Sequence, residues 1–166
     1  MTHLTKTNRM EAVFDETVRI LNHTFACEPI LYASFGMEKG LGIPVDAKDI
    51  DLLVPKNVLM QQSRLIQAFQ SNGFTPVPQA VLTFQKNAVR VELAEQEKWM
   101  ERCHFSVGGI QRITRNRHTF QLLDATNLLL LYELLACDPG RLETKCASDR
   151  KKITWIRQYL MKTNQS

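Results

Sequence analysis

The sequence contains no long apolar run. Its most hydrophobic stretch, Leu128 to Leu135, includes Tyr132 and Glu133 and is far shorter than the roughly 18 apolar residues that a membrane span requires. The opening segment, MTHLTKTNRME, also lacks the apolar region of a secretory signal peptide. We therefore expect a cytoplasmic protein without a membrane segment.

Cysteine is scarce, and the four cysteines include no CxxC pair. A structural zinc site needs four convergent ligands at paired spacings. Two local pairs, Cys103 with His104 and His23 with Cys27, are the only hints of such ligands. The favoured interpretation is reduced, mostly buried thiols at Cys27, Cys103, Cys137 and Cys146.

A strong net charge is also lacking, since the formal charge is only +4 over 166 residues. This length suits one ordinary domain with its own core. Positive charge is concentrated in RITRNRH (Arg112 to His118) and DRKK (Asp149 to Lys152). A solvated face is the favoured explanation of both. The alternative for the C-terminal segment is a basic nucleic-acid-binding helix, but packing of its apolar positions is favoured, which opposes a nucleic-acid partner.

The hydrophobic periodicity predicts a mixed α/β or α+β fold. A helical stripe at Met10, Val13, Phe14, Val18 and Leu21 opens the chain. Strands follow at residues 30–34 and 50–54, then a helix at 57–73 and a hairpin of residues 80–85 and 88–95. A further strand is predicted at 119–122, and two helices capped by Asp124 and Ser148 end the chain. The glycine-containing segment after Ser34 is predicted to be a connection. This order suggests a core at 1–122 and a helical segment at 123–166 packed on it, or one single domain.

Two aspartates stand out in the second strand. Because side chains alternate faces along a strand, Ile50, Leu52 and Val54 line one side, while Asp49 and Asp51 share the other. By the same rule, the later strand places Glu92 opposite its apolar side. If the two strands are neighbours, the sheet carries helices on one face and three acids on its open face.

Three convergent carboxylates repel each other and are costly to desolvate, so they commonly hold a cation. Hard oxygen ligands suit Mg²⁺ or Mn²⁺. The plain alternative is that alternating acids form the solvent face of a strand.

The segment LYASFGMEKGLGIPVDAKDIDLLVP resembles the signature of the nucleotidyltransferase superfamily with the polymerase-beta-like fold. In that family a strand ending in Gly-Ser precedes a helix and an Asp-x-Asp strand. The resemblance implies that Ala33 and Ser34 hold nucleotide phosphates, that Asp49 and Asp51 bind metal, and that Glu92 is the third acid. The segment from Leu122 to Ile156 is similar to the helical tail of small bacterial members.

Three departures from the family pattern favour a specialised or degenerate site. Ala33 replaces the usual glycine, which is unfavourable if its φ is positive. Asp49 follows Ser34 by 15 positions, whereas the family spacing is about ten to thirteen. Glu92 stands where Asp is commoner, and its extra methylene alters metal geometry.

The resemblance predicts a magnesium- or manganese-dependent nucleotidyltransferase that uses a nucleoside triphosphate and a hydroxyl acceptor. Asp49, Asp51 and Glu92 are the predicted catalytic and metal-binding residues, and Glu92 is also a candidate general base. Lys39, Lys48 or the cluster from Arg112 to Arg117 would neutralise phosphate charge. A small-molecule acceptor is preferred over a protein or RNA. The alternative is a module that binds a nucleotide or partner protein without turnover. The sequence leaves open whether the chain forms a homo-oligomer.

Overall fold

The computed structural model describes residues 5–80 and 82–165. Within them, seven strands form one mixed sheet in the order β3-β4-β5-β2-β1-β7-β6. The strands are β1 (Ile30–Tyr32), β2 (Asp49–Val54), β3 (Thr75–Pro76), β4 (Thr83–Lys86), β5 (Val89–Glu95), β6 (Ile110–Arg115) and β7 (His118–Leu123). The α-helices are α1 (Lys6–Phe25), α2 (Ala33–Leu41), α3 (Lys56–Leu59), α4 (Gln62–Ser71), α5 (Gln96–Cys103), α6 (Ala125–Ala136) and α7 (Glu143–Thr163). The prediction of a mixed α/β fold is confirmed.

The first face of the sheet packs against α1 and α4. The predicted stripe of α1 is buried along its whole length, from Met10 to Leu21. It meets Ile50, Leu52 and Val54 of β2 in one apolar cluster. The helix buries apolar residues that recur about every 3.6 positions, and the strand buries every second residue. Both patterns are visible in the sequence, which explains why both buried faces could be predicted.

The centre of the sheet brings β2 and β5 together. These strands are parallel neighbours, with Asp51 level with Glu92 and Asp49 level with Arg90. On the other side of β2, the short strand β1 runs antiparallel. The condition on which the convergence of the acids depended, that the two acidic strands are neighbours, is therefore met, and the pairing places the acids on one face.

Helices also pack on the second face of the sheet, which was expected to be open. Leu53 of β2 joins Leu128 and Leu131 of α6 and Ile156 of α7 in a second apolar cluster. The acidic end of this face is not packed directly against α6 and α7 but borders a cavity that separates it from them. Among the described residues, none of the helices has both the length and the apolar composition needed to cross a membrane.

Several predicted boundaries need correction. The segment after Tyr32 begins with helix α2 and only then becomes a loop, which starts where Gly42 (φ +67°) ends the helix. The predicted helix at 57–73 is two helices, α3 and α4, separated at Met60 and Gln61. The basic segment at Arg112 belongs to edge strand β6, which was not predicted.

Of the two caps predicted for the final helices, one is confirmed and the other is wrong. The Asp124 side chain accepts a 2.8 Å hydrogen bond from the backbone N–H of Asn127, which confirms it as the cap of α6. Ser148 is not a cap, because α7 already begins at Glu143. Packing of the first turns, which include buried Cys146, extends the helix beyond its clear apolar periodicity.

Candidate active site

A polar cavity of about 530 Å³ lies between the acidic face of the sheet and the α6–α7 region. Pockets of this size are typical of small-molecule and cofactor sites. The sheet side contributes the three predicted acids and Ser34, whereas the helical side contributes three cations and one further acid, Asp149. The whole cavity is lined by Tyr32, Ala33, Ser34, Asp49, Asp51, Arg90, Glu92, Trp99, Tyr132, Leu135, Arg141, Lys145, Ser148, Asp149 and Lys152.

The three predicted acids line this cavity together. Asp49 and Asp51 lie two residues apart on β2, and Glu92 lies beside Asp51 on β5. Arg90 donates a hydrogen bond of 3.2 Å from Nη2 to Oε1 of Glu92, so one of the acids has a cationic partner within the sheet. Strand alternation and parallel register together account for this convergence.

Asp51 carries the clearest electrostatic signature of the site. Burial raises its pKa to about 7, and the neighbouring carboxylates of Glu92 and Asp49 act in the same direction. Lys152 and Arg90 oppose the rise. The carboxyl groups therefore disfavour one another's ionisation at this end of the cavity, and a bound cation would relieve that repulsion.

Ala33 and Ser34 begin α2 at the end of β1. Ala33 has a φ of +58°, a left-handed conformation that favours glycine because an L-residue places its Cβ too close to the following carbonyl oxygen. Ser34 follows in the first turn, beside the cavity. The backbone thus adopts a glycine-favoured conformation while the sequence supplies alanine.

A second depression of about 390 Å³ continues the cavity along the loop that precedes β2. It shares Ser34, Asp49, Asp51 and Lys152 with the main cavity and adds Lys48. Lys48 is exposed at the rim. Its position is compatible with contact to an anionic ligand that extends from the acids towards this loop.

Solved structures resemble this architecture despite low sequence identity. An antigenic nucleotidyltransferase-like protein from Paracoccidioides brasiliensis superimposes with a TM-score of 0.59 at 16% identity, covering 87% of this chain and 73% of that one. The antibiotic-resistance factor ANT(2'')-Ia in solution gives 0.53 at 10% identity, covering 95% of this chain and 94% of its own. The chain has a nucleotidyltransferase-like fold. The crystal structure of ANT(2'')-Ia in complex with adenylyl-2''-tobramycin agrees, with a TM-score of 0.51, 8% identity, and coverage of 95% and 99%.

Sequence comparison adds one relative. The chain is 22% identical over 148 residues to the uncharacterized protein YnaI of Bacillus subtilis, a match that covers 89% of this chain and 95% of that protein. No protein-family model matches the chain. The nucleotidyltransferase-like fold is thus established by the structural neighbours.

The donor set on the sheet side of the cavity suits a hard divalent cation. Asp49 and Asp51 offer carboxylate oxygens at the spacing that lets two strand residues face one ligand. Across residues 5–80 and 82–165, no group of three or more His, Cys, Asp or Glu side chains is already drawn together as a metal cage. Glu92 would have to turn from Arg90 to become the third ligand.

Two predicted phosphate-binding groups lie elsewhere in the molecule. Lys39 donates hydrogen bonds of 2.8 Å to both carboxylate oxygens of Glu11 and lies 5.5 Å from the centre of the Phe14 ring. It does not line the cavity, because its position in α2 points it towards α1. The prediction for Lys39 is therefore corrected: it ties α2 to α1.

The arginine cluster of β6 is likewise engaged away from the cavity. Arg112 forms a two-pronged ion pair with Glu28, and Arg115 pairs with Glu11 and Asp15. Both arginines link the sheet edge to neighbouring carboxylates. Their predicted role in phosphate binding is corrected by these placements.

Sequence reasoning missed the cations that do line the cavity. They are Arg141, just before α7, and Lys145 and Lys152 in the first half of α7, which lie together with the fully buried Asp149. The DRKK segment was assigned to a solvated face, which is wrong for Asp149. A signal was present for the helical members, since positions 145, 149 and 152 recur at helical spacing on one face.

Proposed function

We propose that the chain is a metal-dependent nucleotidyltransferase, which transfers a nucleoside monophosphate from a nucleoside triphosphate to a hydroxyl group of a small-molecule acceptor. The observation that supports this most strongly is the arrangement of Asp49, Asp51 and Glu92 beside Ser34 in one cavity. The nucleotidyltransferase-like fold adds support, because the acids occupy adjacent central strands of it.

The proposed chemistry uses each side chain in a defined role. Asp49 and Asp51 would hold Mg²⁺ or Mn²⁺, with Glu92 completing the set. A bound divalent cation supplies charge neutralisation of the triphosphate and lowers the pKa of the acceptor hydroxyl. Ser34 donates a hydrogen bond to a phosphate oxygen. If Glu92 does not bind the cation, its side chain, which is 44% exposed, instead accepts the hydroxyl proton as general base.

The reaction balances without any further reactant. The acceptor oxygen forms a bond to the α-phosphorus as the bond to the β-phosphate bridging oxygen breaks. Pyrophosphate leaves and carries the negative charge of the broken bond, while the hydroxyl proton passes to Glu92 or to solvent. Positioning and charge stabilisation account for most catalysis of phosphoryl-group chemistry.

A small acceptor is favoured over nucleic acid. The basic stretch of β6 is occupied by ion pairs with Glu28, Glu11 and Asp15, so it offers less free charge to a phosphate backbone than its sequence suggests. One structural neighbour, ANT(2'')-Ia, was crystallised with adenylyl-2''-tobramycin. An antibiotic-like or metabolite hydroxyl is our first choice of acceptor, and a protein hydroxyl is the second.

The test is a calorimetric titration of the purified protein with ATP, GTP, CTP and UTP, each with and without Mg²⁺. We expect one nucleotide to bind in a magnesium-dependent way, and Asp49→Asn/Asp51→Asn to abolish that binding. Lys39→Gln is a matched control, because Lys39 lies outside the cavity. Absence of magnesium-dependent binding to every nucleotide would contradict the proposal.

A second candidate function is nucleotide or partner-protein binding without turnover. Two observations favour it: the positive φ of Ala33 where glycine would fit best, and the lack of a preassembled metal cage among the described residues. Release of pyrophosphate with a panel of hydroxyl acceptors separates the candidates. Tight nucleotide binding with no pyrophosphate from any acceptor supports the non-catalytic module.

A further inference from the structure

We propose that Asp149 is a positioning residue, which orients Arg141 in an anion-binding site on the helical side of the cavity. Lys145 and Lys152 complete this anion site, whose ligand is a polyphosphate. The identification of that ligand as the tail of a nucleotide rests on the proposed function. The existence of the anion site does not, because it is argued from the cations themselves.

The geometry of Asp149 is that of a group dedicated to holding one partner. Its side chain is only 1% exposed. Arg141 donates to it from Nε at 2.6 Å and from Nη2 at 3.3 Å, so both carboxylate oxygens are engaged. A two-pronged pair of this kind fixes the plane of the guanidinium as well as its position.

The pairing leaves part of Arg141 unused. A guanidinium has five N–H donors, and two of them serve Asp149. The Arg141 side chain is 25% exposed and lines the cavity. Its remaining donors are thus held in a fixed orientation with access to a ligand, at a reduced entropic cost of binding.

Lys145 and Lys152 add positive charge beside Arg141 on the helical side of the cavity. Both line the cavity, and within residues 5–80 and 82–165 neither side chain has a carboxylate within ion-pair distance. Lys152 is partly buried, with its Nζ 5.0 Å from the centre of the Tyr132 ring. An ammonium group in this setting lacks full hydration and gains from an anionic ligand.

The two walls of the cavity therefore carry opposite charge. Asp49 and Asp51 lie on the sheet, while Arg141, Lys145 and Lys152 lie towards α7. A single compact anion would satisfy only the helical wall. A polyphosphate is longer, and its metal-facing oxygens can approach the aspartates while its other oxygens accept from Arg141 and the lysines.

The experiment measures binding of inorganic triphosphate to the full chain by calorimetry, in EDTA and at low ionic strength. We expect wild-type protein to bind it without metal, and Arg141→Gln to weaken binding at least about tenfold, as expected for loss of charge-assisted hydrogen bonds. Asp149→Asn should weaken it about three- to tenfold with Arg141 still present, because the loss of a fixed guanidinium outweighs the removal of one negative charge near the ligand. Unchanged affinity in Arg141→Gln would overturn the anion site.

The matched control is Arg157→Gln. Arg157 of α7 pairs with Glu133 of α6 at 2.7 Å on an exposed surface outside the cavity. The substitution therefore removes one positive charge and one ion pair of α7 without changing the cavity. We expect its triphosphate affinity to stay within about twofold of wild type. An equal loss in Arg157→Gln and Arg141→Gln would mean a general charge effect, which contradicts a site.

A purely structural role of Asp149 has a different signature. It would lower the melting temperature of Asp149→Asn yet leave the affinity of the folded protein for triphosphate unchanged, and that result would overturn the positioning role. Arg141→Lys, which keeps the charge and loses the two-pronged pair, provides a second variant if Asp149→Asn does not fold. We expect it to lose most of the affinity, and full retention would contradict the need for orientation.

The outcomes separate this inference from the proposed function. Magnesium-dependent nucleotide binding that is insensitive to Arg141→Gln would leave the proposed function standing and remove the anion site. Metal-free triphosphate binding that depends on Arg141, in a protein that binds no nucleotide, would support the anion site and reject the proposed function. Asp49→Asn/Asp51→Asn should not weaken metal-free triphosphate binding, because it removes only repulsion.

Discussion

The carboxyl group of Asp51 illustrates how much one residue's surroundings alter its chemistry. Burial, Glu92 and Asp49 raise its folded-state pKa from 3.8 to about 7. The native protein then binds this proton more tightly than the unfolded chain does. Without metal, the stability contributed by this group falls as pH rises from about 4 to about 7, and it is constant outside that window.

Replacement of Asp51 should reveal how much stability its ionisation removes at high pH. We expect Asp51→Asn to raise the free energy of unfolding of the metal-free protein by about 1 to 3 kcal/mol at pH 8 and by much less at pH 4. Urea unfolding in EDTA at both pH values measures it. Asp49→Asn, on the same face, is the control. An equal gain at both positions would point to general acid repulsion and not to the setting of Asp51.

Ala33 is the second residue that we expect to lower the free energy of unfolding. Its φ of +58° suits glycine, so Ala33→Gly should raise the free energy of unfolding by up to about 1 kcal/mol. It should also tighten magnesium-dependent nucleotide binding, because the methyl group beside the phosphates is removed. Chemical unfolding and calorimetry measure the two effects.

Ala26 offers a matched control for Ala33. It also has positive φ, +49°, at the C-terminal end of α1, and it does not line the cavity. Ala26→Gly should therefore stabilise by a similar amount without any change in nucleotide affinity. If Ala33→Gly changes only stability as Ala26→Gly does, then the backbone at Ala33 does not contact phosphate.

At the scale of the element, α2 connects the sheet to the site. It follows β1 without a loop, so the position of Ser34 depends on how closely the helix approaches the strand. Gly36 permits this approach: a Cβ there would lie 3.0 Å from the backbone oxygen of Leu31. The central strand β1 is paired on both sides and has little freedom to move away.

The two glycines inside α2 should respond in opposite directions to alanine. Gly36→Ala should lower the free energy of unfolding by about 1 to 3 kcal/mol, because the added methyl presses on fixed backbone. Gly40→Ala, whose Cβ would lie 3.6 Å from the oxygen of Leu123, should raise it by about 0.5 to 1 kcal/mol through helix propensity. Urea unfolding tests both. A stabilised Gly36→Ala would show that α2 can shift from β1.

At the scale of the whole molecule, the helical end completes both the core and the cavity. Ile156 of α7 is fully buried in the cluster that includes Leu53 of β2 and Leu128 of α6. We propose on this basis that the described parts of the core (up to residue 122) and of the helical segment (from residue 123) unfold as one unit. The cavity between them depends on that packing.

A single substitution in α7 tests cooperativity. Ile156→Ala should lower the free energy of unfolding by about 2 to 5 kcal/mol, with coincident transitions by tryptophan fluorescence and circular dichroism. The exposed Lys151→Ala is the control and should change it by less than about 0.5 kcal/mol. A separate, earlier transition of the helical end would contradict a single unit.

The accuracy of sequence-based prediction followed the range of the interactions. The alternation of Asp49 to Val54 and the cap at Asp124 were predicted, because periodicity and capping act within a few residues. The edge strand β6 was missed, since an exposed strand rich in arginine lacks clear alternation. The break between α3 and α4 likewise carries no strong local signal.

The sequence by itself determined which residues share each face of an element, and through them the acidic character of the site. The pairing of β2 with β5, the positive φ of Ala33 and the seating of α7 over the cavity required the tertiary structure. These features depend on contacts between residues far apart in the chain, such as Arg141 and the cavity it shares with Asp51. Only packing decides which charged side chains face a common ligand and which, like Lys39, instead form an ion pair with a neighbouring helix.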